Sequence, residues 1–136
     1  MAEMSNYLED EILDHILGQG SLAFSPGTLW VALCTSTPSD TSTGATIAEV
    51  ADSNGYARQA ISFNAASGGS ATNNGDISFT ASGGNWGTVT SFVVVDSSTH
   101  GAGNVYFWTD LDASQVVNDG STLTFDDGTG ITVSIN

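Results

Sequence analysis

Four aspartates are the closest approach to a metal site in this sequence of 136 residues. Asp110 and Asp112 are separated by one residue, and Asp126 and Asp127 are adjacent. Calcium is the metal to consider, because it binds several oxygen ligands and the chain has fifteen Asp and Glu residues. Neither pair belongs to a complete ligand loop, and Asp-Asp-Gly is equally the composition of a tight turn. The sequence therefore predicts no metal site and no cofactor.

The side chains that could act as nucleophiles or bases have no partners at recognisable spacing. His15 falls on a predicted helix and His100 in a predicted loop, so both are expected to be ordinary surface residues. Cys34 lies in an apolar run, which favours a small buried residue over a reactive thiol. The chain contains no Gly-x-Ser-x-Gly elbow, P-loop or dinucleotide fingerprint. We predict that it is not an enzyme; a glycan hydrolase with paired aspartates is the alternative of that class.

Arg58 is the only Lys or Arg in the chain. Its planar guanidinium can hold a carboxylate through two parallel hydrogen bonds, and acidic residues are abundant. Two interpretations stay open: a partly buried ion pair within the domain, or a contact across a subunit boundary. Arg58 is therefore one of the candidate interface residues.

The charge balance limits the partners. A formal net charge of −14 repels nucleic acid and anionic membranes, because both are bound mainly through Lys and Arg. The first residues are acidic where a signal peptide needs a basic start, and no apolar run is long enough to span a bilayer. We predict no nucleic-acid partner, no membrane partner and no export signal. The acidity serves solubility or, alternatively, docking on a basic partner.

Residues 5–17 are predicted to form an amphipathic helix. Ser5 or Asn6 can cap its start, and Gly18 ends it. The helix carries one apolar stripe, in which Leu8, Ile12 and Ile16 recur at intervals of four and Leu13 and Leu17 lie beside them. The stripe packs either on its own domain or on a neighbouring subunit, so Leu8, Ile12 and Ile16 are interface candidates.

The rest of the chain is predicted to be strands and turns. Residues 86–96 form the longest run of β-branched and aromatic residues, and its second half is apolar on both sides, so we predict a central strand covered on both faces. Alternation and turn signals predict six further strands, at 28–35, 56–63, 76–81, 105–110, 122–125 and 131–135. The last two are expected to pair as a hairpin with one solvent-exposed face.

These elements define the predicted fold class. It is mainly β: a single β-sandwich or jelly-roll-like domain with one short N-terminal amphipathic helix. The helix occupies residues 1–20 and the sandwich residues 21–136. A β-rich, Gly/Ser/Thr-rich chain without an export signal suits a virus particle that is assembled in the host cytoplasm.

Four segments together resemble a known family: the helix at 5–17, the strand at 29–36, residues 55–63 and residues 86–90. The most specific parts are Gly-Tyr-Ala-Arg at 55–58 and Trp-Gly-Thr-Val at 86–89. In this order they are similar to small virion proteins of tailed bacteriophages, labelled capsid decoration (cement) or tail-fibre-like proteins. The resemblance implies a β-sandwich or jelly-roll-like module that assembles on the particle and catalyses nothing. Cys34 departs from the pattern, since an aromatic residue is commoner there in similar proteins.

Two functions follow from the resemblance. The first is a capsid decoration protein that binds the major capsid protein, as a homotrimer, and stabilises the shell. The alternative is a tail-fibre or baseplate component that attaches to the host. In that case exposed Tyr106 or Trp108 would stack on sugar rings, whereas the ordinary place for aromatic residues on a strand is the core.

Overall fold

The computed structural model describes residues 2–20 and 27–135, so the first six residues of the predicted sandwich range lie outside the description. The described residues contain one helix and nine strands: β1 (Glu3–Met4), α1 (Asn6–Ile16), β2 (Leu29–Cys34), β3 (Gln59–Ile61), β4 (Ser70–Thr72), β5 (Ile77–Thr80), β6 (Gly87–Val95), β7 (Val105–Val117), β8 (Thr122–Phe125) and β9 (Thr132–Ser134). The strands form a five-stranded sheet of order β1-β7-β6-β2-β3 and two pairs, β4-β9 and β5-β8, all antiparallel. The predicted mainly β, sandwich-like class is confirmed.

Strand β6 is the middle strand of the large sheet, and both of its faces are buried. Phe92 and Val94 belong to the larger apolar cluster, which also contains the inward side chains of β5 and β8. Val93 and Val95 belong to a second cluster on the opposite face, beneath the partly buried Ile47 of the loop that follows β2. The predicted central strand with two covers is confirmed.

A simple alternation of side chains along β6 fails at the start of the strand. The sequence pattern places Val89 on one face with Val93 and Val95, but Val89 lies in the larger cluster with Phe92. The pairing of β6 with β7 shifts register between Val89 and Ser91. A bulge of this kind changes which side chains share a face. Simple counting along the strand does not reveal it.

The predicted hairpin of the last two strands is also wrong. Strand β8 pairs with β5 and strand β9 with β4, although each does alternate between buried and exposed residues. The side chain of Asn73 lies between them: its Oδ1 accepts from the backbone N–H of Ile131 and its Nδ2 donates to the carbonyl of Asp126, both at 3.0 Å. Alternation fixes which face of a strand is buried, but it does not choose the partner strand.

Two strands differ in length from their predictions. The run at 56–63 contributes only the three-residue β3, whereas β7 continues past the predicted residue 110 to Val117. Gly87 pairs with Val117 and Ser91 pairs with Asp110, so residues 111–114 bulge out of the ladder. The polar composition of 110–115 conceals this continuation, because it lacks strand-forming residues.

The N-terminal segment is packed into the β domain. Ser5 is the N-cap of α1: its Oγ accepts from the backbone N–H of Leu8 at 3.4 Å and donates to the carbonyl of Val105 on β7. Ala2, Ser5 and Leu8 are all buried. Gly18, at a φ of 73°, adopts the left-handed conformation that favours glycine just after the helix. The cap and stop predicted for the helix are confirmed.

Replacing Ser5 with alanine is expected to lower the free energy of unfolding by about 1–3 kcal/mol, because the helix loses its cap and the buried Val105 carbonyl loses its donor. Urea unfolding followed by tryptophan fluorescence measures the change. Asn6→Ala, one residue along and exposed, is the control, and we expect it to change stability by less than about 0.5 kcal/mol. Equal losses in the two variants would contradict the anchoring role of Ser5.

Candidate interaction surface

The predicted apolar stripe of α1 divides into a buried part and an exposed part. Leu8 is 5% exposed and Ile12 is partly buried. Leu13, Ile16 and Leu17, which we call the helix tip, are 53%, 70% and 66% exposed. The stripe therefore packs on its own domain near the N-terminus and faces solvent at its end.

Acidic residues surround the helix tip. Glu9, Asp10 and Asp14 are exposed on the same helix. The partial negative charge at a helix C-terminus adds to theirs. No exposed Lys or Arg offsets this charge, because the single cation of that type, Arg58, is buried.

Arg58 forms an ion pair within its own domain, which is the first of the two possibilities left open by the sequence. Its Nε and Nη2 donate to Oε1 and Oε2 of Glu49, each at 2.8 Å, in the predicted two-bond geometry. Its Nη1 donates to the carbonyls of Ser97 and Ala102, also at 2.8 Å. The guanidinium thus ties two loops together. Because Arg58 is 5% exposed, it presents almost no surface to a partner.

Glu49 is the residue of this cluster that sequence reasoning missed. Burial raises the pKa of its carboxyl, but hydrogen bonds from Arg58, the Gly101 backbone N–H and the Tyr56 hydroxyl outweigh burial, so the pKa lies below its ordinary value. The Tyr56 hydroxyl also accepts from the backbone N–H of Leu33 at 3.0 Å. Nothing in the local pattern marks Glu49, since the contacts depend on the loop path.

His100 also contacts this cluster, although it lies in a loop at the surface, as predicted. Its Nε2 lies 2.9 Å from the carbonyl of Val50 and 3.8 Å from Oε2 of Glu49, and its side chain is 34% exposed. His15 is exposed on α1, also as predicted. The cluster holds loops in place, and Cys34 lies beside it, since its backbone pairs with that of Glu49 in an isolated bridge.

The two aromatic candidates for sugar stacking are engaged within the domain. Tyr106 is 4% exposed, its ring centroid lies 6.0 Å from that of Tyr7, and burial raises the pKa of its hydroxyl to about 12. Trp108 is partly buried, and its indole N–H donates to Oδ1 of Asp40 at 3.2 Å. Tyr106 is a core residue, the ordinary role for an aromatic side chain on a strand.

An open cleft of about 610 Å³ lies between the bulged part of β7 and strand β8. It includes the predicted pair Asp110 and Asp112 together with several threonines. Oδ1 of Asp110 accepts from the Thr37 hydroxyl at 2.7 Å. The other pair serves a turn: the Asp126 carbonyl accepts from the backbone N–H of Gly130 at 2.8 Å. Within residues 2–20 and 27–135, no group of three His, Cys, Asp or Glu side chains could hold a metal ion.

Cys34 is fully buried on β2, and burial raises the pKa of its thiol to about 12. We expect no reaction with a disulfide reagent such as Ellman's reagent at pH 8 in the folded protein, since the thiolate is the reactive form. In urea the single thiol should react fully. Rapid labelling of the native protein would contradict the core position.

These features define a class of protein: a small β domain whose buried polar groups fasten its own loops and whose apolar helix end faces solvent. The family model described as "Podophage GP4 fiber I protein gp80" matches residues 3–133. The chain therefore belongs to this family and is a structural protein of a phage virion, which confirms the resemblance drawn from the sequence. No curated protein matches it. The single described helix is too short to cross a membrane.

Proposed function

We propose that this chain is a component of the tail-fibre apparatus of the virion. The observation that carries the proposal is the match of a fibre protein family over residues 3–133. It favours the alternative drawn from the sequence over capsid decoration, which was the leading prediction there. Virion location fits both.

We also propose that the chain acts by binding and not by catalysis. The buried ion pair of Arg58 and Glu49 is saturated by hydrogen bonds within the domain. One aspartate pair lies at a turn and the other lines an open cleft. Among the described residues, neither pair belongs to a set of three side chains that could hold a metal ion. A binding role fits the exposed apolar helix tip, since contiguous exposed apolar surface marks interaction sites.

Gold labelling of intact particles tests the tail assignment. A peptide tag added after the last residue is suitable, because the preceding Ile135 is 62% exposed. We expect gold at the tail of each particle. Gold distributed over the whole head would contradict the proposal and favour capsid decoration.

One observation favours capsid decoration as the second candidate: no long coiled-coil or fibrous element occurs in residues 2–20 and 27–135, where the helix has only eleven residues. In that role the chain would bind the major capsid protein as a homotrimer. Both the trimer and that partner stay predictions. Baseplate attachment is the remaining variant of the tail assignment.

A further inference from the structure

We propose that the helix tip is the docking site of the chain on the virion, and that its partner is a different protein with an apolar groove bordered by Lys or Arg. The inference rests on the proposed function in one respect, since it assumes that the chain is attached to the particle. It adds the attachment surface and the chemistry of the partner.

The helix tip consists of three exposed apolar residues, Leu13, Ile16 and Leu17. Residues three and four positions apart are neighbours on a helix, so the three side chains form one contiguous patch. They are between 53% and 70% exposed, although they follow directly on the buried part of the same helix. No residue within 2–20 and 27–135 covers them, and an amphipathic helix is a common ligand of apolar grooves.

The negative charge around the patch indicates the chemistry of the partner. Asp10 lies three residues before Leu13, and Asp14 lies three residues before Leu17, so a carboxylate stands next to each leucine on the helix surface. A second copy of this chain would bring another set of carboxylates against these, with no exposed Lys or Arg to compensate. Like charges facing each other across an interface cost binding energy. A groove bordered by cations is complementary in both charge and polarity.

The size of the patch also argues against self-association. Three side chains cover much less than the ~800 Å² that each partner contributes to a standard stable interface. The patch is therefore too small to hold two free chains together in solution. On a particle, other contacts and the local concentration add to a small docking surface.

The test is complementation of a phage that lacks the gene, grown in cells that supply the chain from a plasmid. The variant Ile16→Ser with Leu17→Ser removes most of the exposed apolar surface of the helix tip. We expect the number of chains per purified particle, measured by quantitative mass spectrometry, to fall about tenfold or more. Because both side chains are exposed, we expect the melting temperature of the purified variant to stay within about 2 °C of the wild type.

The matched control is Val116→Ser with Ile135→Ser, which changes two residues that are 63% and 62% exposed but lie far from α1 in the chain. Incorporation of this variant should equal that of the wild type. An equal loss in both double variants would show that surface apolarity in general, and not the helix tip, is required.

A second variant tests the chemistry of the partner. Asp10→Asn with Asp14→Asn keeps side-chain size and removes two charges, so incorporation should fall, and bound chain should be released at lower salt than the wild type. Unchanged or improved incorporation would overturn the cationic partner.

Three further results would assign the helix tip to another binding partner or overturn the proposal. A wild type that sediments as an oligomer, with a monomeric Ser variant, would assign the patch to a second copy. A large fall in the melting temperature of the Ser variant would assign it to residues of the same chain. Normal incorporation of the Ser variant would overturn this inference alone, whereas failure of the wild type to enter particles would overturn the proposed function with it.

Discussion

Replacing Arg58 with methionine is expected to lower the free energy of unfolding by about 3–5 kcal/mol. The substitution leaves the Glu49 carboxylate buried without its cation and removes the donors to the carbonyls of Ser97 and Ala102. This is a large part of the roughly 5–15 kcal/mol that stabilises a typical domain. Urea unfolding at neutral pH, followed by fluorescence and circular dichroism, measures the loss.

The double variant Arg58→Met with Glu49→Leu is the matched control. It removes both charges, so it should be more stable than Arg58→Met alone, because an unpaired buried charge costs more than a missing pair. Arg58→Lys should fall between the wild type and the methionine variant, since an amine cannot reproduce the two-bond geometry. A methionine variant as stable as the wild type would show that the pair contributes nothing.

Acid provides a second readout of the same pair. The pKa of Glu49 lies below its ordinary value of 4.5 in the folded chain, so the unfolded chain binds its proton first as the pH falls. The stabilisation is complete above the unfolded pKa and is lost as the pH falls through the folded pKa. Between those two values the stability of the wild type should fall, whereas the double variant, which has no Glu49 to titrate, should lack this contribution to the fall.

Replacing Phe79 with alanine is expected to cost about 3–5 kcal/mol through the cavity that it leaves. Phe79 is 1% exposed on β5, and its ring centroid lies 6.3 Å from that of Tyr56 and 6.4 Å from that of Phe125. It therefore joins the β5-β8 pair to the core of the large sheet.

Urea unfolding measures this change too, with Val116→Ala as its control. Val116 is 63% exposed, so its truncation should change stability by less than about 0.5 kcal/mol. Phe79→Leu, which keeps most of the apolar volume, should lose less than Phe79→Ala. A small effect of Phe79→Ala would mean that the β5-β8 pair does not share the main core.

The sequence was most informative where a pattern depends on neighbouring residues alone. The cap at Ser5, the stop at Gly18 and the two buried faces of β6 are each encoded within a few positions. It was least informative about partners distant in the chain. Strand β8 pairs with β5, more than forty residues away, and the side-chain bonds of Asn73 to Asp126 and Ile131 span more than fifty residues.

The helix tip and the residues proposed for binding show the same difference between local patterns, which the sequence predicts, and distant contacts, which it does not. Periodicity located the helical stripe but not the point where burial ends, because that point is set by the position of β7 beside α1. The chemistry of Arg58 predicted two hydrogen bonds to a carboxylate but did not identify Glu49. Tyr106 lies in the core, the ordinary place for an aromatic residue on a strand, but its contact with Tyr7 lies outside any local pattern.

The copy number of the chain per virion tests the central claim most directly. Quantitative mass spectrometry of purified particles, with the major capsid protein as internal standard, provides it. A fibre component attached at the tail should be present in a few to some tens of copies. Hundreds of copies, comparable with the major capsid protein, or absence from the particle, would contradict the account.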